Sequence, residues 1–361
     1  MPWKFPRLHA GLRPPALQCI RYQSTLSSPP PHLNPGSKAN RDTGSSSNVE
    51  NPIDPGLSDL GRLITDDFAH VRSHYSVPRH LIVLAHGLMG FDELRLVGRY
   101  LPSIQYWRGI TDAFAQNGIE FITTAVPTMG SIEDRARALA SQIATKAPGR
   151  DVNIVAHSMG GLDARYVISR LCPPREASPS PRRPFRVRSL TTIATPHRGS
   201  SAADMIYNFD FKFNTRGSPD GAYALGPRIS RTLERLRIDA RAFSQLTTTY
   251  MTQHFNPSTP DDPNVRYFSY GASATPHFLS VFRLSHDLIT PREGANDGLV
   301  SVASARWGEY RGTLVGVTHL DLINWSNRLL RVAAGVGLVQ ERFNAVAFYL
   351  GVADALAQDG F

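Results

Sequence analysis

The sequence predicts an α/β fold, a mostly parallel sheet with helices on both faces. Three observations carry the prediction. Short apolar runs of strand length recur along the chain, helical patterns separate them, and one run ends in a polar pair followed at once by glycines. Apolar runs bounded by turn signals are the mark of strands buried on both faces. Strands alternating with helices imply βαβ units, whose crossovers cover the sheet on both sides.

The first run is Leu81–Ala85, the second Ile119 to Val126, and the third Val152–Ala156. Val187 to Ala194 is a fourth and Val265 to Tyr270 a fifth. Between them, Ser131-Ile132-Glu133-Asp134 opens a helix reaching about Lys146, with a capping-box-like start. A second helix is expected from Gly160 to Leu171, ended by Pro173-Pro174, and a last one across much of Asn327 to Ala357. Two segments interrupt the alternation. Arg175 to Pro184 is a Pro/Ser/Arg loop, read as a surface insertion. Ser200 to about Pro263 is longer, and carries Tyr207, Phe209, Phe211 and Phe213 at every second position. That alternation fits either a strand with its aromatic face on the core or a lid whose apolar face meets substrate. The expected organisation is a leader at 1–23, a linker at 24–60 and one domain at 61–361 with a lid insertion at about 200–263. There is no internal repeat.

The leader is read from charge. Up to Arg41 the chain has no Asp or Glu, while Lys4, Arg7, Arg13, Arg21, Lys38 and Arg41 stand among apolar residues. Arg-rich, acid-poor starts without an unbroken apolar core read as mitochondrial transit peptides, although Pro2, Pro6, Pro14 and Pro15 oppose a helix there. A mitochondrial location is therefore expected, with a cytoplasmic or lipid-associated one as the alternative. The formal net charge is +9, and removal of Lys4, Arg7, Arg13 and Arg21 takes four from it, leaving +5. That is too little to argue for nucleic acid as a partner. No stretch reaches the ~18 uninterrupted apolar residues of a membrane span. Two cysteines, Cys19 and Cys172, cannot make a disulfide framework.

The chemistry starts at Ser158. Ala156-His157-Ser158-Met159-Gly160 fits the G-x-S-x-G nucleophile elbow with Ala in place of the first Gly. The elbow forces its Ser into a strained backbone conformation and lifts Oγ clear of the sheet, and small residues two before and two after allow strand and helix to approach. A Ser nucleophile requires a base and an acid, which follow in the order Ser, acid, His in this architecture. Of the twelve His, His319 is the one that lies after the turn signal Asn296-Asp297-Gly298, so Asp297 and His319 are the candidate acid and base. His286 with Asp287 is the second-choice pair. Backbone N–H groups of Leu88, in the loop Ala85-His86-Gly87-Leu88-Met89-Gly90, and of Met159, after the nucleophile, are the candidate oxyanion donors. His86 is read as a structural hydrogen-bonding residue.

Five segments stand in order: His86-Gly87-Leu88, Ala156 to Gly161, Thr195 to Ser200, Asn296 to Val300 and His319-Leu320-Asp321. Together they resemble the bacterial triacylglycerol lipases of the α/β-hydrolase fold and, with the leader, the fungal mitochondrial triacylglycerol lipases similar to them. The resemblance covers about residues 80 to 326. It implies Ser158, Asp297 and His319 as a catalytic triad, Leu88 and Met159 as oxyanion donors, and a mobile lid over an acyl pocket. Many of the bacterial enzymes hold a structural calcium near the catalytic His. Asp321 matches one ligand position, but Trp325 stands where a Gln ligand is expected. Calcium is therefore not carried over, no cofactor is expected, and Asp321 is read as a weak calcium candidate or a cap for the terminal helix. The bacterial disulfide has no counterpart. The function expected is hydrolysis of acylglycerol esters, with lipid ester at a membrane or droplet interface as partner. A phospholipase or lipid acyltransferase with the same triad is the alternative, and a non-catalytic membrane-surface protein a third.

Overall fold

The computed structural model describes residues 60–88, 93–94, 104–172, 184–207, 240–276, 280, 282–325 and 343–361. The expected leader, nearly all of the linker, most of the Arg175–Pro184 insertion, and the aromatic alternation beyond Tyr207 lie outside them. So does the first part of the expected terminal helix.

Nine strands are described: β1 (Leu63–Ile64), β2 (Leu81–Ala85), β3 (Glu93–Leu94), β4 (Ile104–Gln105), β5 (Phe121–Thr123), β6 (Asp151–His157), β7 (Arg186–Ile193), β8 (Arg266–Ser273) and β9 (Glu309–Val315). Seven form one sheet in the order β1-β9-β8-β7-β6-β2-β5, and β3 pairs with β4 apart from it. Every neighbouring pair in the large sheet is parallel. From β2 the chain steps outward to β5, then crosses back over β2 to β6 and continues through β7, β8 and β9. The winding direction reverses between β2 and β6, and the crevice at the carboxyl ends of such a pair is where open α/β sheets place their sites. Here it holds the loop after Ala85 and the polar pair His157-Ser158, with Ala85 in register with Ala156.

Two hydrophobic clusters explain why the central strands carry apolar residues on both faces. Ile82, Leu84, Val155 and Ile193 point to one face, where they meet Phe114 of α1 (Ile110–Gln116) and Phe348. Leu81, Val83, Ala85, Val152 and Ile154 point to the other, against Leu139 of α2 (Ile132–Lys146) and Ala164 of α3 (Gly160–Tyr166). Alternate residues thus serve opposite cores, as the period of a strand requires. Ser131 caps α2 by accepting from the Asp134 N–H at 3.2 Å. α3 runs on into a π turn, Val167–Leu171, so the helix expected over Gly160 to Leu171 changes its hydrogen-bond period midway. A further helix, α4 (Arg283–Glu293), precedes the Asn296 turn. The last, α5 (Ala345–Gln358), is capped by Asn344, whose Oδ1 accepts from Val346 N at 3.0 Å.

Some expected elements differ. The run Ile119 to Val126 yields only Phe121–Thr123 as strand, because side chains take over the next backbone groups: Ala125 N donates to Gln142 Oε1 and Val126 N to His86 Nε2. The Asn296 turn does not enter a strand. A single bridge joins Asn296 to Ser301, and Val302–Ala305 is a helical turn. No described helix is long and apolar enough to cross a membrane.

Arg135 of α2, with no exposed surface, ties these layers together. It donates from Nε to Asp163 Oδ2 (2.9 Å), from Nη1 to Pro127 O (2.7 Å) and from Nη2 to His86 O (2.9 Å). Removing one partner of a buried ion pair leaves an uncompensated charge. Arg135→Met is therefore expected to cost about 3–5 kcal/mol, read as a lowered urea midpoint of unfolding.

Candidate active site

Ser158 sits at the turn from β6 into α3 with φ at +56°. A non-glycine residue in this left-handed region costs on the order of 1–3 kcal/mol and persists only when its surroundings impose it. They do so from both sides. Ser158 N donates to Ile193 O at 2.9 Å, and Ser158 O accepts from Thr195 Oγ1 at 2.8 Å and from Gly161 N at 3.1 Å. The neighbours must be small. A Cβ on Gly160 would lie 2.6 Å from Ala85 O and 2.7 Å from His86 O, and one on Gly161 would lie 2.2 Å from Thr195 Oγ1. Ala156, which stands for the first Gly of the pattern, is fully buried. Ser158 itself stays partly exposed while His157 and Met159 on either side are buried.

The structure brings His319 and Asp297 together. His319 Nδ1 lies 2.7 Å from Asp297 Oδ2, and the His319 backbone N–H donates to Asp297 O at 3.0 Å. The other carboxylate oxygen accepts from Leu299 N (2.9 Å) and Val300 N (2.8 Å), so this fully buried acid has partners on both oxygens. The turn that aims it is built by Asn296, whose Oδ1 accepts from Gly298 N at 3.0 Å, and by Gly298 itself at φ +101°. A proton held on His319 Nδ1 by a carboxylate leaves Nε2 free as a base. The His319 ring lies 4.6 Å, centroid to centroid, from that of His157, the residue before Ser158, which puts it at the elbow.

His286 and Asp287 form no such constellation. They are sequence neighbours on α4, 3.1 Å apart, and the half-exposed Asp287 also binds Arg283. Both ring nitrogens of His86 face the backbone, with Nδ1 2.9 Å from Gly87 O and Nε2 accepting from Val126 N at 3.1 Å. Asp321 closes the turn at Thr318, whose N and Oγ1 both donate to its Oδ2, at 2.9 and 2.6 Å. It therefore caps that turn and not the terminal helix, which begins at Ala345 under Asn344. Among the described residues no group of three or more His, Cys, Asp or Glu could hold a metal. Thr318 occupies one carboxylate oxygen of Asp321, Oδ2.

Leu88 and Met159 follow the carboxyl ends of the adjacent strands β2 and β6. Their side chains share a third hydrophobic cluster with Leu162, Ala203, Ala242, Leu246, Met251 and Phe255. The last five belong to the expected lid insertion or its edges, where residues 201–207 and 240–258 are helical or in tight turns. One neighbour of the site escapes sequence reading altogether. Tyr106 stands before α1 in Gln105-Tyr106-Trp107-Arg108, with no periodicity or motif to single it out, yet its hydroxyl reaches His157 and Gly87.

Three comparisons bear on this geometry. Residues 76–216 match the family described as "Putative serine esterase (DUF676)". Triacylglycerol lipase 2 of Saccharomyces cerevisiae is 36% identical over 344 residues, covering 82% of this chain and 96% of that protein. A triacylglycerol lipase of Vibrio cholerae is 28% identical over 280 residues, covering 71% of this chain and 84% of that one. Among solved structures, EstA from Clostridium botulinum superposes with a TM-score of 0.52 at 19% identity, covering 79% of this chain and 88% of that chain. The fold is that of the α/β-hydrolases.

Because Gly160 faces two carbonyl oxygens of the β2 end, the elbow tolerates no side chain there. Gly160→Ala is expected to destabilise the protein by about 1–3 kcal/mol, the range for overpacking, and a calorimetric scan beside the parent protein reads it.

Proposed function

The chain belongs to the triacylglycerol lipase family, and on that premise we propose that it is a serine carboxylic-ester hydrolase that cleaves acylglycerols through an acyl-enzyme on Ser158. The observation that carries the site assignment is the 2.7 Å contact between His319 Nδ1 and the fully buried Asp297, made beside a left-handed Ser158.

In this reading His319 Nε2 takes the proton of Ser158 Oγ as the oxygen attacks the ester carbonyl. Negative charge moves to the carbonyl oxygen, where the N–H groups of Leu88 and Met159 receive it. The tetrahedral intermediate collapses, the C–O bond to the glyceryl oxygen breaks, and His319 gives its proton to the departing alcohol. Water then repeats the sequence on the acyl-serine, releasing the fatty acid and restoring Ser158. Asp297 holds the imidazole in the tautomer with Nδ1 protonated and offsets the positive charge that appears on it in both halves.

A lipid-ester substrate met at an interface is supported by two observations besides the names of the relatives. Leu284 is 71% exposed and Trp325 38% exposed, on the segments that lead into and out of the Asp297 and His319 loops. The insertion at 200–263, read as a lid, shares its apolar cluster with Leu88 and Met159. The leader at 1–23, outside the described residues, belongs to the same proposal as a mitochondrial address.

Acid release by the protein starting at Ser24, from an emulsified long-chain triacylglycerol and from a soluble short-chain ester, tests the reading. Ser158→Ala is expected to lose roughly six orders of magnitude in kcat, and Asp297→Asn about 10⁴-fold. Hydrolysis of phospholipid vesicles in preference to the emulsion would move the substrate to the phospholipase alternative, and a Ser158→Ala variant as active as the parent would overturn the site. The address is read separately by fluorescence of the chain fused at its C-terminus, with and without residues 1–23. Mitochondrial signal is expected only with them.

A further inference from the structure

The mechanism proposed above uses three side chains and two backbone N–H groups. It leaves Tyr106 without a role, although Tyr106 lies at the junction of the two loops that carry those N–H groups. The phenol is buried, at 5% exposure. Its Oη accepts the Gly87 N–H at 3.0 Å, one residue before Leu88, and lies 2.6 Å from His157 Nδ1, one residue before Ser158. The fit leaves no slack: a Cβ on Gly87 would stand 2.7 Å from Ser158 Cβ and 3.0 Å from Tyr106 Oη.

The protons follow from the donors. Gly87 N–H can only donate, so it uses a lone pair of Oη. Burial pushes the phenol well above its ordinary range, so Tyr106 keeps its proton. Burial, with the neighbouring His319, pushes His157 well down, so its ring is neutral. If Nδ1 carried the ring proton, Oη would receive two donors and its own proton would have no acceptor among the described residues. The arrangement that satisfies all three groups has Tyr106 donating to an unprotonated Nδ1, with the ring proton on Nε2. That buried nitrogen makes no hydrogen bond of ordinary geometry among the described residues, and the contact of this ring with the His319 backbone, which favours the charged form, is outweighed by burial.

We propose that Tyr106 is a positioning residue, whose hydroxyl clamps the Leu88 loop to the Ser158 elbow and fixes His157 in its neutral Nε2–H tautomer against the ring of His319. The inference rests on the reading of Leu88 and Met159 as oxyanion donors, and adds the part that sets the distance between them. It also assigns His157 a fixed charge of zero, so that the imidazolium formed on His319 during turnover meets no second positive charge across the 4.6 Å between the rings.

The test compares Tyr106→Phe with Tyr349→Phe. Tyr349 is a matched control, since it is fully buried in the same hydrophobic cluster, its ring packs on Trp107, and its hydroxyl has no hydrogen-bond partner among the described residues. Deleting an unpartnered hydroxyl should leave activity near that of the parent. On a soluble short-chain ester, Tyr106→Phe is expected to lower kcat about 10- to 100-fold with KM changed less than about twofold, because a misplaced oxyanion donor weakens the transition state and not the bound ester. The second readout is the ¹⁵N shift pattern of the His157 ring at neutral pH. It should report the Nε2–H tautomer in the parent and in Tyr349→Phe, and a mixture of tautomers in Tyr106→Phe. Equal losses in both variants, or parent activity in Tyr106→Phe, overturn the clamp while leaving the proposed triad standing. If the parent protein hydrolyses no ester, the catalytic reading fails by itself, and the ring shifts alone decide: an unchanged His157 tautomer in Tyr106→Phe overturns the clamp.

Discussion

The structure depends on one close approach. Where the winding of the sheet reverses, the carboxyl ends of β2 and β6 lie side by side, and the chain must leave both in a space that allows nothing larger than glycine at Gly87, Gly160 and Gly161. The left-handed backbone at Ser158 follows from that crowding. A strand that must turn into a helix without striking its neighbour's carbonyls has few conformations available, and the one adopted is held by Ile193 O on one side and Thr195 on the other. Burial of the flanking strands stabilises the arrangement well beyond the strain it contains. Val152, Ile154 and Val155 have no exposed surface, and each such side chain contributes on the order of 1.5–3 kcal/mol.

A crowded junction also buries polar groups, and these set the second layer of order. The carbonyl of His86 is received by Arg135, the ring of His86 by Val126 N, and the N–H of Gly87 by Tyr106. An unpaired buried polar group costs about 1–3 kcal/mol, so each partner is constrained in turn. Arg135 is anchored by Asp163 of α3, and Tyr106 stands in an aromatic chain with Trp107 and Tyr349. The loop after β2 is thereby tied to helices on both faces of the sheet, α2 and α3 on one and α5 on the other.

Much of the frame was legible in the sequence because its physical cause is local. β2, β6, β7 and β8 fall within a few residues of their apolar runs, since strands covered on both faces bury apolar residues on each. β9 is not among those runs. Its Glu-Tyr-Arg-Gly-Thr-Leu-Val has an exposed or half-buried first half, and only Gly312, Thr313 and Leu314 are buried. α4 escaped for a related reason, having one buried residue, Ile289, and Pro291 in its last turn, so no apolar stripe exists to be read. At the site, Asp297 and His319 could be singled out by their order after Ser158, an arrangement that survives in one dimension. Tyr106 could not. Its two contacts span 19 and 51 residues, and nothing local distinguishes a phenol that binds a distant histidine from one that fills a core.

The third hydrophobic cluster has a consequence for where the protein can come apart. Met159 and Leu88 share it with Ala203, Ala242, Leu246, Met251 and Phe255, so the apolar side chains flanking the site are packed by a segment that is not part of the sheet. Hydrogen-bonded regions open in cooperative units whose free energies range from near zero up to that of global unfolding. Residues that share a core belong to one such unit. The rigidity of the peptide after Ser158 is accordingly limited by the weaker of its two supports. However firmly the sheet holds β6, partial melting of the 240–255 helices exposes the Met159 side chain and loosens the turn from one side. Local order at the elbow is borrowed from a segment more than eighty residues further along the chain.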